Sequence, residues 1–97
     1  MKELAKIGDV FKVTKDFEID RGRIPADIFI IFDGVNVCRG TVSTKLLACS
    51  KTTDENVYRK CYNGDLELPY ETLNHLVQAN ALELFTTTST IKHVDMQ

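Results

Sequence analysis

The clearest pattern near the start of the chain is an alternation of apolar and polar residues. From Phe11 to Ile19 the apolar side chains share one parity and the polar ones share the other, with Lys15 as the break. This period of two predicts an antiparallel strand with one buried and one solvated face. Residues 26–32 are mostly apolar at both parities, which predicts a central strand that is covered on both faces.

Two dipeptides separate apolar, β-prone segments: Asp33-Gly34 and Asn63-Gly64. Dipeptides of this kind are strong hairpin signals, because their residues tolerate the positive φ angles of a tight turn. The first predicts a hairpin that joins the central strand to a return strand through Val42. The second predicts a hairpin between residues 57–62 and residues 66–68.

The segment that follows predicts one late helix, over about residues 69–80. Pro69 suits the start of a helix, because its missing N–H would have no intrahelical partner there. Asn80 suits a left-handed residue that ends the helix. The apolar stripe that would face the core consists of Leu73, Leu76 and Val77.

These elements predict an α+β fold that is mostly antiparallel β, with about five or six short strands. A small SH3-like or OB-like barrel, or a curled sheet, capped by the helix fits the order of elements. An α+β sandwich with the helix on one face of a sheet fits it nearly as well. We expect a single domain over residues 1–97, with residues 1–7 as an N-terminal arm and residues 93–97 as a frayed tail.

Composition limits the class of protein. The apolar fraction of 43% and the charged fraction of 27% are ordinary for a globular protein. No segment is apolar over the length of a signal peptide or a membrane span. The net charge of −2 is no basic footprint for strong nucleic-acid binding. An odd number of widely spaced cysteines favours a reducing cytoplasm over a disulfide framework.

The cysteines and histidines form no recognisable catalytic or metal motif. Cys38, Cys49 and Cys61 lack the close pairing that structural zinc sites use to hold two thiolates on one turn. The only histidines, His75 and His93, fall on the predicted helix and near the tail, so neither is placed as the base that a nucleophilic cysteine needs. We therefore expect no catalytic residue, no metal and no cofactor.

Two clusters are candidates for partner binding. Arg21 and Arg23 flank a glycine in a polar loop, and loops often carry the binding residues of small barrels. Tyr58 and Tyr62 share one strand parity beside two basic residues, and tyrosine is enriched at protein interfaces. The candidate partner-binding residues are Tyr58, Arg59, Lys60, Tyr62, Arg21 and Arg23.

The leading hypothesis is a non-enzymatic protein-binding module that modulates its partner. Short β segments and many Lys, Asp, Thr and Asn residues resemble small accessory proteins of phages or mobile elements, which implies a regulator or inhibitor of a host factor. The alternative is a small-barrel nucleic-acid-binding protein that uses the same basic residues and tyrosines. An enzyme or metal protein is the third class. The edge character of residues 86–91 adds a homodimer through strand pairing as an option.

Overall fold

The computed structural model describes residues 4–19, 22–54, 56–61 and 66–91, and the backbone of residues 93–95. Within these residues the chain forms nine strands and one helix. The strands are β1 (Asp9–Val13), β2 (Phe17–Ile19), β3 (Gly22–Ile24), β4 (Phe29–Cys38), β5 (Thr41–Lys51), β6 (Val57–Lys60), β7 (Leu66–Pro69), β8 (Leu82–Thr87) and β9 (His93–Asp95). The helix is α1 (Tyr70–Gln78), and a 3-10 turn at Thr88–Thr90 follows β8.

Seven strands form the main sheet, and β2 with β3 form a separate two-stranded ribbon. The strand order is β8-β1-β4-β5-β6-β9, and β7 also pairs with β5. Every described pairing is antiparallel except that of β6 with β9. The predicted fold class is confirmed: the protein is mostly antiparallel β with one helix. Within the described residues β8 and β9 do not pair with each other, so the sheet does not close.

The short link between the two outer strands requires a curled sheet. β8 and β9 lie at opposite ends of the strand order, yet only residues 88–92 separate them in sequence. In a flat sheet, five strand spacings would separate them by about 24 Å. The link spans at most about 20 Å when fully extended, and its 3-10 turn shortens that reach. The two edges therefore bend towards each other.

Apolar side chains cover both faces of this sheet. We call the side under α1 the helix face, and the side crossed by the β8–β9 link the crossover face. The buried helix-face cluster, including α1 residues, comprises Ala5, Phe11, Val13, Ile24, Ile30, Phe32, Leu46, Leu68, Leu73, Val77 and Leu82. The buried crossover-face cluster comprises Val10, Phe29, Ile31, Leu47, Cys49 and Tyr58, and Ile91 of the link packs against it.

The turn between β4 and β5 lies at Arg39-Gly40, so the prediction of a turn at Asp33-Gly34 was wrong. Arg39 has a φ of +52° and Gly40 a φ of +78°. Two successive left-handed residues are what a type I′ hairpin turn requires. Asp33 is instead the extra residue of a β-bulge, because the β4–β5 register shifts at that position.

Apolar matching between the strands explains this register. A turn at Asp33-Gly34 would pair residues 29–32 with residues 35–38, which include the polar Asn36. The observed register pairs residues 29–32 with residues 46–49, and all eight of these residues are buried. Each fully buried large apolar side chain contributes about 1.5–3 kcal/mol. That outweighs the roughly 1 kcal/mol that a single favourable turn residue supplies.

The predicted hairpin around Asn63-Gly64 was also wrong in its pairing. β6 pairs with residues 49–51 of β5, and β7 pairs with residues 43–46 of the same strand edge. The two segments follow each other along β5 as halves of one interrupted strand. Residues 62–65, which include the dipeptide, lie outside the described residues.

The strand predicted over Phe11–Ile19 is divided into β1 and β2. After β1, the Thr14 amide donates a hydrogen bond to the Ala81 carbonyl at 2.8 Å, outside the β1–β4 ladder. β2 then pairs with β3 in the ribbon, where Ile19 lies opposite Gly22. Gly22 and Arg23, which the sequence predicted in a polar loop, therefore belong to β3, and residues 20 and 21 lie outside the described residues.

The helix confirms the sequence prediction closely. α1 lies within the predicted residues 69–80, and Asn80 adopts the expected left-handed conformation with a φ of +63°. The Asn80 amide donates to the Val77 carbonyl at 3.1 Å, and the Ala81 amide donates to the Leu76 carbonyl at 3.0 Å. This bonding pattern is a Schellman motif, which satisfies carbonyls at the end of the helix.

Both ends of the described chain pack against the domain. The Ala5 amide donates to Asn74 Oδ1, and the Ala5 carbonyl accepts from the Tyr70 hydroxyl, both at 2.8 Å. The N-terminal arm is thus tied to α1. At the other end, the backbone of His93–Asp95 pairs with β6 where the sequence predicted fraying.

Candidate protein-binding surface

Tyr58, a predicted partner-binding residue, belongs to the core. Its side chain has no exposed surface, and its ring meets Phe29 edge-on with centroids 5.4 Å apart. Burial, and then the nearby Cys49 thiol, raise the pKa of the Tyr58 hydroxyl. A ring in this position cannot stack on a partner at the protein surface. The prediction that Tyr58 contacts a partner was therefore wrong.

The basic residues that were predicted to bind a partner do not lie together. Arg23 lies in the β2–β3 ribbon and forms an exposed salt bridge with Asp16 at 2.8 Å. Arg59 and Lys60 are consecutive in β6, so their side chains leave the strand on opposite sides. The described candidates therefore form no single basic surface. Arg21 and Tyr62 lie outside the described residues.

The buried cysteine, Cys49, does not supply an alternative site. Burial, followed by the nearby Cys61 thiol, raises the pKa of Cys49 from 9.0 to about 12, although Lys60 partly opposes this shift. Cys49 is therefore a protonated thiol at neutral pH, which is a poor nucleophile. Among the described residues, no group of His, Cys, Asp and Glu side chains is placed to hold a metal ion.

Exposed apolar side chains form two other surfaces that could bind a partner. The valine patch consists of Val35, Val37 and Val42 at the tip of the β4–β5 hairpin, which are 45%, 64% and 37% exposed. Val37 lies directly opposite Val42. Because the Asp33 bulge adds one residue to β4, these valines stay on the side of the sheet that carries Phe32. The patch extends the helix face beyond the core.

The second apolar surface, which we call the edge groove, is concave. It encloses about 570 Å³ along β8, beside the N-terminal arm and the last turn of α1. Its apolar walls are formed by Leu4, Phe11, Val77, Leu82 and Leu84, and its polar boundary by Lys6, Asp9, Glu83 and Thr87. Leu4 is 58% exposed and Leu84 is 56% exposed. The groove therefore holds apolar surface that the protein itself leaves in water.

A β-bulge in β8 directs side chains to the two sides of this edge. Phe11 of β1 lies opposite Leu84, but the preceding residue, Val10, lies opposite Thr86. Phe85 is therefore an extra residue in β8. Leu84 points with Phe11 towards the edge groove, whereas Phe85 meets Phe29 on the crossover face with ring centroids 5.0 Å apart.

The edge groove lies beside an unpaired strand edge. β8 pairs with β1 on one side, and no described strand pairs with its other side. An open edge presents N–H and C=O groups that can bond to another chain. The sequence suggested edge character for residues 86–91, but only Thr86 and Thr87 of these belong to β8, and residues 88–90 form the 3-10 turn. The groove was not predictable, since Leu4 is far from Val77 and Leu84 in sequence.

Comparisons with known proteins give no relative from which to infer the function. No family model, no curated protein and no solved structure matches the chain. Within the described residues, no helix is long and apolar enough to cross a membrane.

Proposed function

We propose that this chain is a small, non-enzymatic module that binds a protein partner and modulates it. In this proposal an extended segment of the partner adds to the outer edge of β8. One observation carries the proposal: the apolar edge groove runs beside an open strand edge. Strand addition of this kind combines backbone hydrogen bonds with pockets for alternate side chains.

The groove supplies both parts of such an interaction. Backbone groups of β8 would pair with the partner segment, while every second side chain of that segment would enter the groove and cover Leu84 and Leu4. Burying the exposed part of each leucine contributes about 1 kcal/mol. Lys6 and Glu83 at the boundary would favour polar residues of the segment at the groove margin.

The wider setting is part of the same proposal. The resemblance of the composition to phage or mobile-element accessory proteins suggests a host factor as the partner and an inhibitory or regulatory outcome. Three free cysteines, two of them exposed, support a reducing cytoplasm as the location.

The proposal can be tested with a displayed library of random peptides. We expect the full chain to enrich peptides with alternating apolar residues, and Leu84→Asp to weaken their binding at least tenfold, because it places a charge on the groove wall. Val37→Asp is the matched control, since Val37 is at least as exposed and lies in the other apolar patch. Amide exchange of β8 should slow when the peptide binds.

Several results would contradict this function. They are a library that enriches no peptide, equal losses from Leu84→Asp and Val37→Asp, or β8 amides that exchange at an unchanged rate. Light scattering must also show a monomer in the assay. A dimer that Leu84→Asp dissociates would mean that a second copy occupies the edge. Nucleic-acid binding at low salt that disappears at moderate salt would favour the alternative class.

A further inference from the structure

The outer half of β4 has an open strand edge. β1 pairs with residues 29–31 of β4, and the Gly8 amide, just before β1, donates to the Phe32 carbonyl at 2.8 Å. Beyond Phe32, no described strand pairs with β4 on the side away from β5. We call residues 33–38 the free edge of β4. It ends at the turn into β5.

The turn determines which backbone groups point out of the free edge. In a two-residue hairpin turn the flanking residues, here Cys38 and Thr41, form a hydrogen-bonded pair. Hydrogen-bonded and non-hydrogen-bonded pairs alternate along antiparallel strands, so Asn36 also bonds to β5. The N–H and C=O groups of Val35 and Val37 therefore point away from β5, where another strand can bond to them.

The sequence of the free edge is complementary to itself in an antiparallel pairing. When Asn36 lies opposite Asn36 of a second copy, Val35 of each copy lies opposite Val37 of the other. The outward backbone groups of these valines then form hydrogen-bonded pairs. In the same register Asp33 of each copy comes level with Arg39 of the other, and both residues are exposed. A shift of two residues in either direction would lose both charge pairs.

This pairing also joins the two valine patches. A two-fold axis normal to the sheet places the helix faces of both copies on the same side. Side chains that lie directly opposite each other across an antiparallel pair have Cβ atoms about 4.5–5.5 Å apart. Val35 and Val37 of each copy therefore cover those of the other, and surface that one chain leaves in water becomes buried between two.

We propose that a second copy of this chain binds the free edge of β4, so that the two main sheets continue as one sheet centred on Asn36. The interface is little more than one pair of strand segments with the valine patches. Stable interfaces bury at least about 1,200 Å², so we expect a weak dimer with a Kd of about 0.1–1 mM. The dimer uses no residue of β8, so partner binding there neither requires it nor is required by it.

Sedimentation equilibrium of the full chain under reducing conditions tests the dimer, at concentrations from about 10 µM to about 2 mM. Val37→Asp should raise the Kd at least tenfold, because it places two carboxylates in the joined valine patches. Leu84→Asp is the matched control, since Leu84 is similarly exposed but lies in the edge groove. It should leave the Kd unchanged.

An exchange of charges tests the register. Asp33→Arg should raise the Kd about fivefold, because each new arginine faces Arg39 of the other copy. The double variant Asp33→Arg with Arg39→Asp should restore the parent Kd to within about twofold, since each charge pair is re-formed with its signs reversed. Aspartate tolerates the left-handed φ of +52° at position 39.

Gly34→Cys tests the geometry directly. In the proposed register Gly34 lies opposite Cys38 of the second copy in a non-hydrogen-bonded pair, whose Cα separation of about 4.5 Å suits a disulfide. A Cβ atom at Gly34 meets no atom within 4 Å. In a Cys61→Ser background, oxidised glutathione should therefore link two copies and itself be reduced. Peptide mapping should join residue 34 of one copy to Cys38 of the other.

Ser43→Cys in the same background is the control for the cross-link. Ser43 lies opposite Asn36 in β5, one strand farther from the second copy, so this variant should link few chains. The proposal is overturned by a chain that stays monomeric up to about 2 mM, or by a Kd that Leu84→Asp raises as much as Val37→Asp. It is also overturned if the exchange of charges restores nothing, or if Gly34→Cys links no more chains than Ser43→Cys.

Discussion

The base and the tip of the β4–β5 hairpin both carry apolar side chains on the helix face, but their surroundings differ. The base, residues 29–32 with residues 46–49, is buried throughout. The tip carries the valine patch, whose side chains remain largely exposed. α1 and the β8–β9 link cover the base from opposite faces, and no described element covers the valines. The comparison teaches that burial of an apolar side chain on the helix face depends on what packs against it, because such side chains are buried at the base and exposed at the tip.

The bulge at Asp33 marks the boundary between these regions. Asp33 is exposed and has no pairing partner in β5, because Phe32 pairs with Leu46 and Gly34 pairs with Lys45. One inserted residue moves every later side chain to the other face. The bulge therefore determines which side of the sheet carries Val35 and Val37, and it places the apolar tip on the same side as the main core.

The largest expected difference in stability is between shortening a buried side chain at the base and shortening an exposed side chain at the tip. Phe32→Ala should lower the free energy of unfolding by about 3–5 kcal/mol, because it leaves a cavity in a fully buried cluster. Val37→Ala should lower it by less than about 1 kcal/mol, since that side chain is mostly in water. Urea denaturation of both variants measures the difference. Similar losses would mean that the tip is packed in solution.

Cys49 at the base of the hairpin should make the free energy of unfolding depend on pH. The pKa of Cys49 at the base is raised from 9.0 to about 12, so the folded protein keeps a proton that the unfolded chain releases. The free energy of unfolding should therefore fall as pH rises from 9 towards 12, by up to about 1.4 kcal/mol per pH unit. Urea denaturation at pH 8 and pH 10 measures this fall.

Two variants control the pH experiment. Cys49→Ala should reduce the fall, whereas Cys38→Ala at the exposed tip should leave it unchanged. The Tyr58 pKa is also raised by burial, so Tyr58→Phe should remove a further part of the loss above pH 10. The same pH dependence in Cys49→Ala and the parent chain would contradict the assignment to Cys49.

Two glycines of the same hairpin provide a smaller contrast. Gly40→Ala should lower the free energy of unfolding by about 1 kcal/mol, because Gly40 has a φ of +78° that alanine adopts with strain. Gly34 is not among the residues with positive φ, and a Cβ atom at either glycine would meet no atom within 4 Å. Gly34→Ala should therefore change stability by no more than about 0.5 kcal/mol.

Thermal or urea unfolding of the two glycine variants distinguishes the turn from the bulge. A larger loss in Gly34→Ala than in Gly40→Ala would restore the turn that the sequence predicted at Asp33-Gly34. The expected order would instead confirm that the left-handed residues lie at Arg39 and Gly40.

The smallest expected effect belongs to the valine patch. Val37→Thr keeps the β-branched shape and replaces one methyl group that faces water with a hydroxyl. The free energy of unfolding should change by no more than about 0.5 kcal/mol. Urea denaturation measures it, and the parent chain provides the reference. A loss well above this value would show that Val37 is covered in solution.

Local signals in the sequence predicted much of the fold. Pro69 and Asn80 bracketed the helix, because their conformational preferences act within one turn. The apolar run at residues 26–32 identified the central strand. The general class, mostly antiparallel β with one helix, followed from alternation and turn residues. These features depend on residues that are close in sequence, so they can be predicted without knowledge of the tertiary contacts.

The candidate surface was much less predictable. Tyr58 has the residue type and the neighbours of an interface tyrosine, yet Phe29 from another strand buries it. The edge groove joins Leu4, Val77 and Leu84, which become neighbours only when the arm, α1 and β8 pack together. Residue type can suggest an interface, but exposure is a property of the assembled structure.

By itself, the sequence determined where the helix begins and ends, and that the apolar run ending at Phe32 belongs to a buried central strand. Tertiary structure decided that the β4–β5 turn forms at Arg39-Gly40 and not at Asp33-Gly34. It also placed β6 and β7 end to end along β5. The physical reason is that backbone preferences at a turn amount to about 1 kcal/mol. Two larger contributions oppose them, and both are distributed over many residues. One is burial of the apolar side chains at the hairpin base, and the other is hydrogen bonding of the backbone N–H and C=O groups along the edge of β5.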